Sequence, residues 1–250
     1  MRALKQFVNA SLGSVGLELR KRKSHFVDAY GDQQRLLTGE PVRAVFDVGA
    51  SEGDVTAIYR ARFPDATIYS FEPTAAPFQR MRQRFAGDAK VIATRAAVGH
   101  HDGQASLFVN AFDQTNSLLP AAQEADAVGG AEMANVGQET VPVIALDSFC
   151  QQRGIERIDL LKMDIQGFEL NALRGAQQLL ERHAMRLIYT EVLFARHYAG
   201  QAFYHDLAAF LQPLGYEVYG LYTLLRGRGG VLSHGDAIFT SPRVRQQWPR

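Results

Sequence analysis

Two rhythms of apolar residues alternate along the chain. Short apolar runs of strand length occupy residues 42–48, 66–71, 90–98, 157–163 and 186–193. Between them, residues 54–63, 77–85, 146–153, 167–182 and 203–214 set apolar side chains at helical spacing, as Phe78, Met81 and Phe85 do in the second of these segments. Pro64 stops the first helix and Gly215 ends the last. This alternation predicts a mostly parallel sheet with helices on both faces. Residues 217–225 and 237–240 form a closing pair of strands joined by the Gly-rich stretch 227–230, and with no helix between them they must run antiparallel. Asp102-Gly103 predicts a hairpin turn after the third strand, with residues 104–110 as its return arm and 140–145 as a further short strand. Residues 111–138 are rich in Ala, Gly, Asn and Gln without a clear period, and read as a mobile segment over a site.

Composition narrows the class. A chain of 250 residues with 46% apolar and 21% charged residues suits one elaborated α/β domain. A formal net charge of +1 argues against a dedicated nucleic-acid binder. The single cysteine, Cys150, has no partner for an internal disulfide, which points to a reducing, cytoplasmic setting; it reads as a small buried hydrophobe on a helix. No run of 18 apolar residues exists to span a membrane. The charge is uneven, however. Residues 1–30 carry six Lys/Arg and two acids, and Leu4, Phe7, Val8, Leu12, Val15 and Leu19 fall at helical spacing. Residues 1–25 are thus a candidate for peripheral contact with the inner face of a membrane, for packing on the catalytic domain, or for contact with a second subunit in a homo-oligomer. The expected division is a helical extension over 1–40 and one catalytic domain over 41–250.

The chemistry concentrates in residues 46–56, FDVGASEGDVT. Asp47 closes a strand, and a Gly-x-x-x-Gly loop then leads into a helix. Gly49 and Gly53 lack a Cβ and let backbone approach a ligand closely. Glu72 closes the next strand. Acid, small-residue loop, helix, strand and acid together make a nucleoside-binding half-site. It is not the Gly-x-Gly-x-x-Gly dinucleotide fingerprint, because Ser51 takes the middle Gly position and Glu52 puts negative charge at the helix start, where it would repel a pyrophosphate. S-adenosylmethionine, with an adenosine, a sulfonium and no phosphate, fits better.

The chain resembles the FkbM family of S-adenosylmethionine-dependent methyltransferases. Besides residues 46–56, the matching segments are Phe71-Glu72-Pro73, Ala97-Val98-Gly99, Asn116-Ser117-Leu118, Leu146-Asp147-Ser148-Phe149, residues 158–176 (IDLLKMDIQGFELNALRGA) and Tyr189-Thr190-Glu191-Val192. Gln166 departs from the pattern, where the family often has Glu. The resemblance implies a class I methyltransferase, Rossmann-like α/β fold. Its sheet would be seven-stranded and mostly parallel with an antiparallel last strand, carrying an N-terminal helical extension and an added hairpin after the third strand.

Ligands in such sheets sit beyond the carboxyl ends of the strands. Glu72 offers two acceptor oxygens that suit a ribose diol, or else caps the next helix; Pro73 keeps that strand end extended. Asp47 orients the loop of Gly49, Ala50, Ser51 and Gly53 and the ligand's ammonium group through backbone or water contacts, or simply satisfies the loop's N–H groups. By resemblance, Ala97 and Val98 lie beside the adenine, and Asn116 and Ser117 offer polar contacts to cofactor or acceptor. Asp164 matches the sulfonium and amino acid part of the cofactor electrostatically, or caps the next helix. Methyl transfer to a hydroxyl is an in-line displacement helped by a general base. Glu191, His197, His100 and His101 are the candidates. Asp164, Glu191 and a nearby His are too dispersed to form a metal motif, so none is expected. The expected reaction is O-methylation of a sugar, glycan or related natural product. A nicotinamide-dependent oxidoreductase and a non-catalytic cofactor-binding protein are the alternatives.

Overall fold

The computed structural model describes residues 28–122 and 130–247. The expected amphipathic helix over residues 1–25 lies outside them. The strands are β1 (Ala44–Val48), β2 (Thr67–Phe71), β3 (Val91–Thr94), β4 (Ala97–Val98), β5 (Gly103–Asn110), β6 (Asn135–Ile144), β7 (Ile158–Met163), β8 (Met185–Leu193), β9 (Glu217–Arg226) and β10 (Leu232–Thr240). The α-helices are α1 (Ala29–Leu36), α2 (Asp54–Arg62), α3 (Ala75–Arg84), α4 (Leu146–Arg153), α5 (Glu169–Arg174), α6 (Gln177–Glu181), α7 (Tyr204–Leu211) and α8 (Pro242–Arg245).

Seven strands form the main sheet in the order β3-β2-β1-β7-β8-β10-β9. The first five run parallel. β10 is antiparallel to both of its neighbours, and its link from β9, which holds only a short 3-10 turn, is too short for a parallel crossover between those two strands. β1 and β7 are buried along their whole length, which explains their near-continuous apolar character. Side chains alternate between the two faces. Phe46, Val48, Leu161 and Met163 pack with Leu146, Leu173 and Leu207 from α4, α5 and α7. Val45 and Leu160 pack with Leu36, Tyr59 and Val244 from α1, α2 and α8. Each such Leu or Phe contributes roughly 1.5–3 kcal/mol, against roughly 0–1 kcal/mol for an exposed ion pair such as Arg84–Asp54. The two apolar layers therefore hold the sheet. Cys150 is one of these buried residues, and burial raises its thiol pKa to about 12.

Four expected elements take a different form. The single third strand over 90–98 divides: β3 stays in the main sheet, and β4 turns away after Ala96 to pair in parallel with β6. β5 does not fold back on the third strand across Asp102-Gly103. It pairs antiparallel with β6, so the extra hairpin is made by β5 and β6 with β4 on the far edge. The segment 111–122 is tied down rather than free, because Ser117 and Phe108 exchange backbone hydrogen bonds of 2.8 and 3.3 Å. The helix expected over 167–182 also breaks at Gly175. A Cβ there would lie 2.0 Å from Gly99 O, so the close approach of the β4–β5 turn sets the break.

Candidate active site

The carboxyl ends of β1, β2, β4 and β7 surround a cavity of about 230 Å³. From the loops after β1 and β2, Gly49, Ala50, Ser51, Glu72 and Pro73 lie in its wall. From further along the chain, Ala97, Val98, Asn116, Ser117 and Asp164 join them. Asp47, Gly53, Glu191 and His197 stand outside the wall.

The loop after β1 is fixed between its neighbours. Gly49 and Ala50 both donate to Phe71 O at 3.0 Å. Gly49 has φ +75°, and a Cβ on it would sit 1.9 Å from Asp164 O, so only glycine fits. Gly53 serves packing instead: its missing Cβ makes room for the Phe85 ring. Asp47 is fully buried beneath the loop. It accepts from Thr56 Oγ1 at 2.7 Å, and its Oδ1 is 3.2 Å from Lys162 Nζ. Lys162 in turn donates to Gly49 O at 3.0 Å. Asp47 thus supports the loop through Lys162 and Thr56.

Glu72 accepts from Ser51 N at 2.9 Å and Thr74 N at 2.8 Å, one bond on each oxygen. Each oxygen keeps a lone pair for a ligand. Burial raises the Glu72 pKa, and the two N–H donors act against that rise. Glu52, expected to repel an anion, is paired with Arg80 at 2.7 Å and leaves that task to the acids in the wall.

The second half of the site turns on Gln166. It holds φ +57°, an uncommon conformation for a non-glycine residue. Its amide explains how it persists: Nε2 donates to Asp164 Oδ1 at 2.7 Å and to Glu191 Oε2 at 3.2 Å. The Tyr198 hydroxyl donates to its Oε1 at 2.7 Å, and Ser117 Oγ donates to its backbone O at 2.7 Å. Gln166 therefore joins β7, β8 and two loops, and it separates Glu191 from the cavity. Glu191 is partly buried. Burial, followed by the charges of Asp164, Glu169 and Asp236, pushes its pKa well up. Glu169 is buried, and its pKa rises to about 7 chiefly through burial. Asp236, bonded by Tyr189 OH at 2.9 Å, is also raised by burial.

Asn116 has a fixed orientation. Its Oδ1 accepts from Asn110 N at 2.8 Å, which leaves Nδ2 buried with no hydrogen-bond partner. Ser117 uses its hydroxyl proton on Gln166 and accepts from Leu119 N at 3.0 Å. None of the three candidate histidines reaches the cavity wall. His100 and His101 stack on each other at 3.7 Å in solvent. His197 is 8% exposed and 3.1 Å from Ser233 Oγ; burial, aided by His234, lowers its pKa to about 4 and keeps it neutral. Lys162 and Tyr198 carried no role in the sequence reading, although a lone charge in the apolar run Leu160-Leu161-Lys162-Met163 is a signal for Lys162. Among the described residues, no group of three or more His, Cys, Asp or Glu is placed to hold a metal ion. No helix among them is long and apolar enough to cross a membrane.

The strand order, the antiparallel β10 and the acid-closed loop after β1 define a class I methyltransferase fold. Residues 47–218 match the model of the Methyltransferase FkbM domain, and the protein belongs to that family. It is 25% identical to the 2-O-methyltransferase NoeI of Sinorhizobium fredii, over 66% of this chain and 69% of that one. It is also 25% identical to the 31-O-demethyl-FK506 methyltransferase FkbM of Streptomyces tacrolimicus, over 82% of this chain and 80% of that one. Among solved structures, an rRNA methylase from Streptococcus thermophilus aligns with a TM-score of 0.46 at 11% identity, over 89% of this chain and 98% of that one.

Family membership makes S-adenosylmethionine the methyl donor and sets the nicotinamide alternative aside. The cavity fits that donor. Its wall offers the free lone pairs of Glu72, small side chains at Ala50, Ala96 and Ala97, an orphaned amide on Asn116 and a majority of acids to face a cation.

Proposed function

We propose that the enzyme methylates a hydroxyl oxygen, and that the acceptor is a sugar, a glycan or a related natural product. The observation that carries this reading is the pair of side-chain amides that Gln114 and Asn116 bring to the cavity wall, beside Gln166, whose own amide N–H groups are taken by Asp164 and Glu191. Amides both donate and accept, which suits a ligand bearing several hydroxyls. The unpartnered Asn116 Nδ2 is the clearest donor among them. NoeI and FkbM, whose names specify oxygen as the methylated atom, support the same chemistry.

When bound, S-adenosylmethionine supplies an electrophilic methyl group on a sulfonium. In this reading Glu72 accepts from the ribose hydroxyls, and Ala97 and Val98 leave room for the adenine. Asp164 faces the cationic part of the donor. Asp47 holds the loop in place from below. Burial and the neighbouring acids favour the protonated form of Glu191, which steadies Gln166 and serves in this reading as a positioning residue and not a base. Alignment and exclusion of water then supply most of the acceleration.

Mass spectrometry of reactions between the purified enzyme, S-adenosylmethionine and matched panels of alcohols, amines and carboxylates tests the proposal. Addition of one methyl to sugar or polyketide alcohols is the expected result. Methylation confined to amines or carboxylates would overturn it.

A further inference from the structure

The amino acid end of S-adenosylmethionine is a zwitterion, so its site must answer both an ammonium and a carboxylate. Five ionisable side chains lie in the cavity wall among the described residues: Asp54, Glu72, Asp113, Lys162 and Asp164. Four are acids, and Lys162 is the one cation. We propose that Lys162 binds the carboxylate of the cofactor's amino acid, while Asp164, two residues on, takes its ammonium.

The geometry supports this in three ways. Lys162 Nζ reaches Gly49 O at 3.0 Å, which puts the ammonium directly under the loop that borders the cavity. An ammonium has three N–H donors. Gly49 O takes one of them, and Asp47 Oδ1, 3.2 Å away, engages a second, which leaves the third. Donor capacity therefore remains for a ligand. Finally, the lysine side chain is only 7% exposed. A buried ammonium is costly without anionic company, and here Asp47 provides it from below. Burial alone would lower the Lys162 pKa, but Asp47 and Asp164 more than offset it, so the lysine stays charged.

The inference rests on the S-adenosylmethionine assignment, and the test separates the two. Wild-type enzyme is titrated calorimetrically with S-adenosylmethionine, its decarboxylated analogue and 5′-methylthioadenosine. Removing the carboxylate should weaken binding about 10–100-fold, the scale of one charge-assisted hydrogen bond. Lys162→Met loosens the loop for every ligand alike, so it should weaken S-adenosylmethionine more than the decarboxylated analogue and shrink the wild-type preference between the two by a similar factor. Because the ligand series uses wild-type protein, it can overturn the proposal even if the variant does not fold. Equal affinity of wild type for S-adenosylmethionine and its decarboxylated analogue would overturn the role of Lys162 alone. Failure of all three nucleosides to bind would overturn the cofactor assignment itself.

Discussion

At the ends of β1 and β2, each carboxylate meets donors of its own. Asp47 has Thr56 and the Lys162 ammonium, and Glu72 has two backbone N–H groups. At the ends of β7 and β8, Asp164 and Glu191 share a single amide from Gln166, and the charges of Glu169 and Asp236 add to the burden on Glu191. The first region settles its acids with fixed partners and presents them to a ligand. The second region crowds Glu169, Glu191 and Asp236 together, and burial with repulsion among neighbouring acids raises the pKa of all three. One half of the site is thus a rigid cradle, and the other is a frame that favours bound protons.

The largest test of the cradle is Gly49→Ala. The added Cβ would meet Asp164 O at 1.9 Å in a left-handed conformation. A loss of roughly 3 kcal/mol or more is expected from combined overpacking and strain, with loss of cofactor binding; chemical denaturation and calorimetry check both. A variant of wild-type stability would mean that the loop yields easily and is no cradle.

Glu169→Gln probes the frame. Glu169 accepts from Ile165 N and Gly167 N, and glutamine can keep that acceptor oxygen without ionising. The native pKa of about 7 lies above the ordinary 4.5, so the folded state binds the extra proton. That stabilisation is complete below the ordinary value and is lost as pH climbs through the native one. Between about pH 5 and 8 the variant should gain on wild type by up to ~3 kcal/mol, seen as diverging Tm values. Parallel Tm curves would show that Glu169 carries no proton in the fold.

Glu72→Ala should weaken S-adenosylmethionine by about 1–3 kcal/mol in a binding titration; unchanged affinity would remove Glu72 from the cradle. The smallest expected effect belongs to Glu191→Gln. An amide resembles a protonated carboxyl, so turnover should fall less than about threefold, with unchanged cofactor affinity. A drop of ~10²–10⁴-fold would restore Glu191 as a general base.

The main sheet could be read from the chain because its signals are local. Apolar runs, Pro64 and Gly215 mark elements where they stand, and the acids closing β1 and β2 follow directly from the strand ends. The divided third strand carries no such mark. Arg95 and Ala96 hold no Gly or Pro, and β4 leaves the sheet because its partner β6 lies some forty residues further on. Lys162 was hidden for the same reason: its meaning comes from Asp47, its register partner across two strands distant in sequence. Gln166 stood out only as a departure from a pattern. Its role depends on Ser117, Glu191 and Tyr198, which the fold brings together from three separate segments.

The excursion of the chain through β4, β5 and β6 has a practical consequence. Between the last residue of β3 and the first of α4, the described residues lie beside the seven-stranded sheet without contributing a strand to it. Asn116 and Ser117 belong to this insert, as do Ala97 and Val98, whereas Gly49, Glu72 and Asp164 directly follow strands of the sheet. An exchange cut after Val98 and before Leu146 would therefore replace Asn116 and Ser117 and leave the proposed adenine contacts and the sheet register in place. A chimera carrying another relative's insert is the natural starting material for redirecting such an enzyme to a new acceptor.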